Sequence, residues 1–251
     1  ILYQQNYPYE SNITSEGRDH WKSFAKDIKK RFKLGTNDLV MDIGSNVGEL
    51  LINFANEKIN VCGVDPAKNI ARKAIKRGVP TITEFFDKKI ENTLKQKKKF
   101  PKIITGTNVF AHINDIQGSL KVIKNILKPD GVLVIEAPYL KNLIAGLEYD
   151  TIYHEHLMYL SVNPMIKLFK KFKFEIFDVE FKKIHGGSIR VFVKHKDGPH
   201  RISPKIKKIS KNEIKEKLNS ISTLTKFSKQ VESHRKQLRT LLKKLKSDGK
   251  K

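Results

Sequence analysis

Residues 39–54 read LVMDIGSNVGELLINF, and this stretch decides the fold class. The apolar run at 39–43 has the length of a short buried strand, and the apolar residues from Leu50 onwards recur at helical spacing. Gly44 and Gly48 let the backbone between them turn sharply and approach a ligand closely, and the following helix offers its N-terminal amides. The stretch therefore predicts a strand, a tight binding turn and a helix.

The next apolar run, at 59–64, predicts a second strand that ends at Asp65. An acidic side chain about 20 residues beyond a glycine turn, at the tip of the following strand, is well placed to accept hydrogen bonds from ribose hydroxyls. The pair of strands therefore predicts a nucleoside site.

Strand and helix patterns then alternate up to residue 138, which predicts an α/β fold with an open, doubly wound and mostly parallel sheet. Ligands of such sheets bind beyond the carboxyl ends of the strands. The further strands are predicted at 80–83, within 102–113 and within 128–138, and the helices at 70–76 and 116–127. The side chains expected at the strand ends are Asp42, Asp65, Asn108 and Glu136.

The charge of the chain is unusual, because 50 Lys and Arg oppose 26 Asp and Glu among 251 residues, a net charge of +24. Residues 203–251 contain 16 Lys and Arg against 4 Asp and Glu, so a fifth of the chain holds half of the excess. Leucines and isoleucines recur there at helical spacing, which predicts one long basic amphipathic helix after a boundary near 197–204. The remaining charge predicts ordinary solvated faces. A nucleic-acid arm is the alternative, but aromatic residues beyond Phe227 and base-reading motifs are absent from this segment.

Composition excludes several classes of protein. The 39 % of hydrophobic residues suffices for a core, and the single cysteine, Cys62, excludes a disulfide framework or a cysteine-based zinc module in this chain. The sequence has no apolar run of roughly 20 residues and no signal-peptide pattern, so we expect a cytoplasmic protein without a membrane partner. The chain begins at Ile1 without a methionine, from which we expect a fragment or a trimmed form.

Four features in order resemble the class I S-adenosylmethionine-dependent methyltransferases: DIGSNVG at 42–48, Asp65, TGTN at 105–108 and KPDGVLVIEAP at 128–138. The resemblance implies a Rossmann-like sheet and S-adenosyl-L-methionine as the cofactor. A dinucleotide-dependent dehydrogenase is the rival, but its G-x-G-x-x-G turn is replaced here by G-x-N-x-G. The cofactor-binding residues implied by the resemblance are Asp42, Gly44, Ser45, Asn46, Gly48, Asp65, Pro66, Thr107 and Asn108.

Residues 150–159, DTIYHEHLMY, are dense in ionisable and phenolic groups. In an extended segment Tyr153 and Glu155 would point away from His154 and His156, whereas in a turn all four could converge, and spacing leaves both open. His-Glu-His is not the helical H-E-x-x-H zinc pattern, so no metal site is predicted.

A narrower resemblance covers QQNYPYESNITSE at 4–16, NVFAHIND at 108–115, YHEHLMYLS at 153–161 and HGGSIRVFV at 185–193. These segments resemble the sugar C-methyltransferase family, which methylates C-3 of nucleotide-linked 4-keto-6-deoxyhexoses. The implied substrate partner is therefore a nucleotide-linked keto-sugar. The implied active-site residues are His112, Tyr153, Glu155, His156 and Tyr9, with Tyr7 as the alternative to Tyr9.

Methylation of carbon requires a carbanion, so a base must take a proton next to a ketone while donors hold the enolate oxygen. We expect His156 to be the base, oriented by Glu155 or Tyr153, because histidine titrates near neutrality. His112 and a tyrosine hydroxyl would donate to the C-4 oxygen. The two histidine roles could also be exchanged.

The predicted organisation is an N-terminal segment at 1–30, a cofactor-binding domain at 31–162, substrate-side strands at 163–202, and the basic helix at 203–251 as the start of a truncated C-terminal domain. The family resembled here has a cysteine-rich zinc module before these parts and a further α/β domain after them. Gly186 to Arg190 are expected either to contact substrate or to let a strand pass a close neighbour.

The alternative function is a nucleic-acid-associated methyltransferase or an RNA-binding module, but GTNVFAH lacks the Pro-Pro strand end typical of exocyclic-nitrogen methylation. The oligomeric state stays open.

Overall fold

The computed structural model describes residues 7–250 and forms seven strands and nine α-helices in that range. Residues 4–6 of the predicted QQNYPYES motif and the terminal Lys251 lie outside the described residues. The strands are β1 (Leu39–Ile43), β2 (Asn60–Val64), β3 (Thr81–Ile82), β4 (Ile103–Thr107), β5 (Val132–Pro138), β6 (Phe174–Lys182) and β7 (Ser188–His195). The helices are α1 (Ser15–Phe32), α2 (Glu49–Asn56), α3 (Lys68–Lys76), α4 (Lys88–Gln96), α5 (Ile116–Ile126), α6 (Leu140–Gly146), α7 (Val162–Lys171), α8 (Pro204–Lys215) and α9 (Ile221–Ser247).

The seven strands form one sheet in the order β3-β2-β1-β4-β5-β7-β6. Strands β1 to β5 pair in parallel, and β7 pairs antiparallel to both β5 and β6. This arrangement confirms the predicted α/β fold with a mostly parallel open sheet. The strand order reverses beside β1, because β2 lies on one side of it and β4 on the other, and such a switch point opens a crevice at the carboxyl ends.

Each face of the sheet is covered by helices because successive strand residues point to opposite sides. Met41 and Ile104 belong to the core cluster that includes α5, whereas Val40 and Ile103 belong to the cluster that includes α1 and α2. All four side chains are fully buried. Burial on both sides fixes the strands rigidly and leaves the loops at their carboxyl ends to form the site.

The C-terminal basic segment is two helices and not the single long helix that its periodicity predicts. Helices α8 and α9 are separated at residues 216–220, where Lys217 takes a left-handed conformation with φ 51°. The break buries Leu218 in the core, and the hydroxyl of Ser220 then caps α9 by accepting from the amide of Thr223 at 3.2 Å. Within residues 7–250, no helix combines the length and apolar composition needed to cross a bilayer.

Candidate active site

The predicted binding turn lies between β1 and α2, and the strand, turn and helix are confirmed. The amides of Gly44 and Ser45 both donate to the carbonyl of Val64, at 2.8 and 3.2 Å. Gly44 has φ 68°, and a Cβ there would lie 2.7 Å from Cγ2 of Val109, so any larger residue would be strained and crowded. The turn therefore places its backbone close to whatever occupies the space above β1.

Asp65 is held rigidly at the end of β2. Its carboxylate accepts from the amides of Asn46 and Ala67, each at 2.9 Å. Burial raises the pKa of this carboxyl above its usual range, although both hydrogen bonds act in the opposite direction. A fixed acceptor in this position suits ribose hydroxyls.

A cavity of about 900 Å³ lies beyond the carboxyl ends of β1, β2 and β4. Gly48, with φ 75°, precedes α2 and does not line the cavity, whereas the other eight predicted cofactor residues do. Those eight are Asp42, Gly44, Ser45, Asn46, Asp65, Pro66, Thr107 and Asn108. The sequence did not indicate several further lining residues, among them Trp21, Phe85, Phe86, Asp87 and Ile113. Phe85 and Phe86 come shortly after β3, so their position beyond the carboxyl end of a strand could have indicated that they line the cavity.

Several buried oxygens of the cavity can act as hydrogen-bond acceptors. Asp42 is buried and accepts from the hydroxyl of Thr105 at 2.6 Å, and its pKa is raised to about 7, mainly by burial and also by the charge of Asp65. Oδ1 of Asn108 and Oγ of Ser45 are buried without a hydrogen-bond partner among residues 7–250. Buried acceptors of this kind suit a ligand that carries an ammonium group and hydroxyls.

His112 lines this cavity, whereas His156, Tyr153 and Glu155 do not, and the two histidines share a hydrogen-bonding pattern. Nδ1 of His112 donates to the carbonyl of Glu155, and Nδ1 of His156 donates to the carbonyl of Thr151, both at 2.8 Å. The ring centroids are 4.8 Å apart. Because a carbonyl can only accept, Nδ1 carries the proton in each neutral ring, and Nε2 of His156 then accepts from the hydroxyl of Tyr153.

The segment around His156 is an irregular turn, so the predicted side chains converge. The hydroxyl of Tyr153 lies 3.2 Å from Nε2 of His156, and their ring centroids are 4.3 Å apart. The amide of Leu157 donates to the carbonyl of Ala111 at 2.8 Å, which ties this segment to the short 3-10 helix that carries His112. The turn therefore assembles the histidine pair from two distant parts of the chain.

The groups that orient His156 are partly those expected. Tyr153 contacts Nε2, but the carbonyl of Thr151 holds Nδ1, and Thr151 was not indicated by the sequence. Glu155 acts on the other histidine instead, through its main-chain carbonyl. Because every residue has a main-chain carbonyl, the residue types at these positions do not indicate the contacts of Thr151 and Glu155 with the histidines.

His112 is more enclosed than an ordinary surface histidine. Burial lowers its pKa, aided by the nearby His156, and the carbonyls of Glu155 and Asn108 only partly counteract this. A lowered pKa keeps the ring neutral at pH 7. His112 is therefore a neutral imidazole and not an imidazolium at pH 7.

Both tyrosines of the YPYES segment line the cavity. Tyr7 is half-buried, and its pKa is raised to about 12, first by burial and then by the charges of Glu155 and Tyr153. Tyr9 is 53 % exposed. The phenol of Tyr7 therefore stays protonated at all physiological pH values and lies near the histidine segment.

Glu136 does not point to the cavity as its strand-end position predicts. It is fully buried and bonded to Nε2 of His20 at 2.5 Å and to Nε of Arg190 at 2.7 Å. The antiparallel register of β5 and β7 places Glu136 directly opposite Arg190, which explains the pairing. Arg190 is therefore also buried in the core, where it is paired with Glu136.

The glycines before β7 let neighbouring side chains pack closely against the backbone. The sequence left this role open beside contact with the substrate. A Cβ on Gly186, which has φ 69°, would collide with the carboxylate of Glu148. Among the described residues, no group of three or more His, Cys, Asp and Glu side chains is arranged to hold a metal ion.

Two family models match the chain. A model described as a methyltransferase domain matches residues 18–179, and one described as a C-methyltransferase C-terminal domain matches residues 183–251. The chain is also 32 % identical over 245 residues to C-methyltransferase NovU of Streptomyces niveus, in a match that covers 98 % of this chain. The chain spans 58 % of the length of that relative.

Solved structures share the fold at low sequence identity. Magnesium protoporphyrin IX methyltransferase (ChlM) from Synechocystis PCC 6803, with bound SAH, has a TM-score of 0.54 at 13 % identity and covers 74 % of this chain and 90 % of its own. The PH0226 protein from Pyrococcus horikoshii OT3 has a TM-score of 0.56 at 17 % identity and covers 75 % of this chain and 95 % of its own. The strand order and the crevice are thus those of a class I methyltransferase fold.

Proposed function

Because the chain belongs to the class I S-adenosylmethionine-dependent C-methyltransferase family, we propose that it methylates the carbon next to the ketone of a nucleotide-linked keto-sugar. The observation that carries the proposal is the pair of neighbouring histidines, His112 at the cavity and His156 against it, each with Nδ1 bonded to a main-chain carbonyl. Transfer to oxygen or nitrogen can use an existing lone pair on the substrate, whereas transfer to carbon needs a base to create one.

The cavity at the carboxyl ends of the strands is the proposed cofactor site. S-adenosyl-L-methionine would supply an electrophilic methyl group on a positively charged sulfur. Asp65 would hold the ribose hydroxyls. The buried oxygens of Asp42, Ser45 and Asn108 would face the ammonium group. Oγ of Ser45 and Oδ1 of Asn108 have no other partner among residues 7–250, whereas Asp42 also accepts from the hydroxyl of Thr105.

His156 is the proposed base. Its Nε2 would take the proton from the carbon next to the ketone, and the C–H electron pair would pass into the enolate. The carbonyl of Thr151 holds the ring in the tautomer that this step requires. The resulting carbanion would then receive the methyl group that bound S-adenosyl-L-methionine supplies, with the carbon–sulfur bonding pair leaving on sulfur, and the site would contribute the alignment of carbon, methyl and sulfur.

Tyrosine hydroxyls are the proposed donors to the enolate oxygen. His112 is less suited to the donor role expected for it, because its Nδ1 proton is used by Glu155 and its lowered pKa disfavours a second proton on Nε2. Tyr7 and Tyr9 line the cavity, whereas the hydroxyl of Tyr153 already donates to Nε2 of His156. In this arrangement His112 supports His156 and is the second candidate for the base.

The match to C-methyltransferase NovU supports methyl transfer to carbon, and the sugar-nucleotide class of substrate rests on the motifs quoted above. A net charge of +24 also favours encounter with a diphosphate by long-range attraction. A direct test incubates the protein with S-adenosyl-L-methionine and a nucleotide-linked 4-keto-6-deoxyhexose, and follows one added methyl group by mass spectrometry. Methylation of RNA in a parallel assay, with none of the sugar, would contradict the proposal.

Substitution of the two tyrosines of the YPYES segment should show which phenol serves the enolate. We expect Tyr7→Phe to lower kcat about 10-fold to 100-fold, since the loss of one donor to a developing oxyanion typically costs at least that much. Tyr9→Phe should have the larger effect only if the more exposed phenol reaches the substrate. Steady-state kcat and KM of both variants decide between them, and unchanged kcat in both would remove these tyrosines from the chemistry.

A further inference from the structure

Residues 7–14 form an N-terminal strap that lies along the cavity and contributes Tyr7, Tyr9 and Ser11 to its lining. The strap precedes α1 and has no strand partner within the described part of the chain. Two asparagine side chains, Asn46 and Asn69, take the place of such a partner.

Asn46 grips the middle of the strap. Its Nδ2 donates to the carbonyl of Tyr9 at 3.0 Å, and its Oδ1 accepts from the amide of Ser11 at 2.9 Å. Asn69 on α3 binds the start of the strap in the same way. Its Oδ1 accepts from the amide of Tyr7 at 3.2 Å, and its Nδ2 donates to the carbonyl of Tyr7 at 2.9 Å. Each primary amide thus imitates the two hydrogen bonds of a strand partner.

Asn46 also belongs to the cofactor turn. Its backbone amide donates to Asp65, the proposed ribose acid, while its side chain holds the carbonyl of Tyr9. One residue therefore joins the nucleoside side of the cavity to the tyrosine strap. The charges of Asp65 and Glu155 both raise the pKa of Tyr7, which shows how near the strap comes to both halves of the site.

Within the turn, Oδ1 of Asn46 also accepts from the amide of Val47 at 2.9 Å, but most of the turn is held by its main chain. Gly44 and Ser45 already anchor it to Val64 by two main-chain hydrogen bonds, and the amide of Asn46 adds a third bond to Asp65. Asn46 has φ 50°, a conformation that asparagine and glycine adopt most readily. A glycine at this position would therefore keep the three main-chain hydrogen bonds of the turn. It would lose both side-chain bonds to the strap, together with the bond from the amide of Val47.

We propose that Asn46 is a positioning residue that couples cofactor binding to the placement of Tyr7 and Tyr9. The inference rests on the proposed function, because it takes the cavity to be the site of S-adenosyl-L-methionine. Ordering of the turn around a bound nucleoside would hold the strap closed, and a closed strap would in turn retain the nucleoside, since coupling between sites is reciprocal. The strap then brings a phenol to the substrate only when the methyl donor is in place.

The test uses S-adenosylhomocysteine as the probe, so it needs no sugar substrate. Affinity is measured by calorimetry, and the strap is followed by hydrogen exchange of its amides and by fluorescence. Trp21 is the single tryptophan of the sequence, lines the cavity, and donates from Nε1 to the carbonyl of Ser11 at 3.3 Å, so its emission reports strap position directly.

We expect S-adenosylhomocysteine to slow exchange of the Ser11 amide about tenfold or more in the wild type and to shift the emission of Trp21. Asn46→Gly should abolish both responses and weaken binding about tenfold, the equivalent of one net hydrogen bond. Asn46→Asp retains the acceptor for Ser11 but not the donor to Tyr9. Its affinity for the probe and its strap response should therefore lie between those of the wild type and those of Asn46→Gly. Asn69→Ala should loosen the strap without altering the cofactor turn.

Asn60→Ala is the matched control. Asn60 is the first residue of β2, so it lies at the amino ends of the strands, away from the cavity, and its Nδ2 donates to the carbonyl of Thr36. It should leave affinity, exchange and emission unchanged. Protection of the strap by the probe in Asn46→Gly as strong as in the wild type would overturn the coupling. So would binding to the wild type without any strap response. Failure of the wild type to bind the probe would instead contradict the proposed function, and the coupling with it.

Discussion

His156→Asn is expected to lower turnover of a nucleotide-linked 4-keto-sugar by about 10³-fold, within the range that general-base catalysis contributes. Asparagine keeps a side chain of similar polarity but has no lone pair of comparable basicity to take the proton. The carbonyl of Thr151, which fixes the imidazole tautomer, would have no basic ring to orient. The measurement is kcat for methyl transfer, followed by product mass.

Exchange of the substrate proton in deuterated water separates the base from its neighbour. If His156 removes the proton, exchange next to the ketone should vanish in His156→Asn and persist in His112→Asn, even where methyl transfer is slow in both. The rings lie only 4.8 Å apart, so either Nε2 could approach the same carbon. Retained exchange in His156→Asn, with loss in His112→Asn, would move the base role to His112.

His154→Asn is the matched control for both variants. His154 lies two residues before His156 and is exposed, and its ring lies 6.3 Å from that of Tyr153. The substitution should leave turnover and exchange within about twofold of the wild type, since exposed positions away from the chemistry are usually tolerant. Full activity in both His112→Asn and His156→Asn would contradict proton abstraction by this pair.

Local sequence was sufficient for the parts of the site that are built locally. The turn after β1 and the acid at the end of β2 follow from strand length and glycine chemistry, and eight of the nine residues predicted to bind the cofactor line the cavity. Glu136 was misplaced because its partner Arg190 comes from an antiparallel strand that is 54 residues away in sequence. The register of that pairing has no counterpart in the local pattern around β5.

The backbone and the C-terminal segment show two other limits. The carbonyl of Thr151 orients His156 although a threonine there is unremarkable in sequence. The break between α8 and α9 is hidden because Leu218 continues the apolar period, while burial of that leucine and the cap at Ser220 require the chain to turn. Periodicity detects which residues are buried but not whether the helix axis is continuous.

Asp42→Asn is expected to stabilise the free protein at pH 8 and to weaken its binding of the cofactor. Burial raises the pKa of Asp42 from 3.8 to about 7, so the folded state holds this proton more tightly than the unfolded chain does. Its contribution to stability is therefore complete below about pH 4 and is lost as pH rises through 7. A shift of this size corresponds to a few kcal/mol, at about 1.4 kcal/mol per pH unit.

The same linkage makes cofactor affinity depend on pH. A ligand ammonium group favours the ionised form of Asp42, so we expect S-adenosylhomocysteine to bind about tenfold more weakly at pH 6 than at pH 7.5, with release of a proton on binding at the lower pH. The neutral amide introduced by Asp42→Asn would still accept from the hydroxyl of Thr105. Because it carries no charge, we expect it to weaken binding at pH 8 by about 100-fold and to remove the pH dependence.

Calorimetry and thermal unfolding between pH 6 and pH 8 measure both effects of Asp42→Asn, over a window that brackets the raised pKa of about 7. Asp197→Asn is the control, because Asp197 is exposed and should change neither the affinity nor the dependence of stability on pH. A stability–pH slope unchanged by Asp42→Asn would show that this carboxyl is ionised in the free fold. The buried charge would then need a partner other than the cofactor, since an isolated carboxylate at such a position is costly.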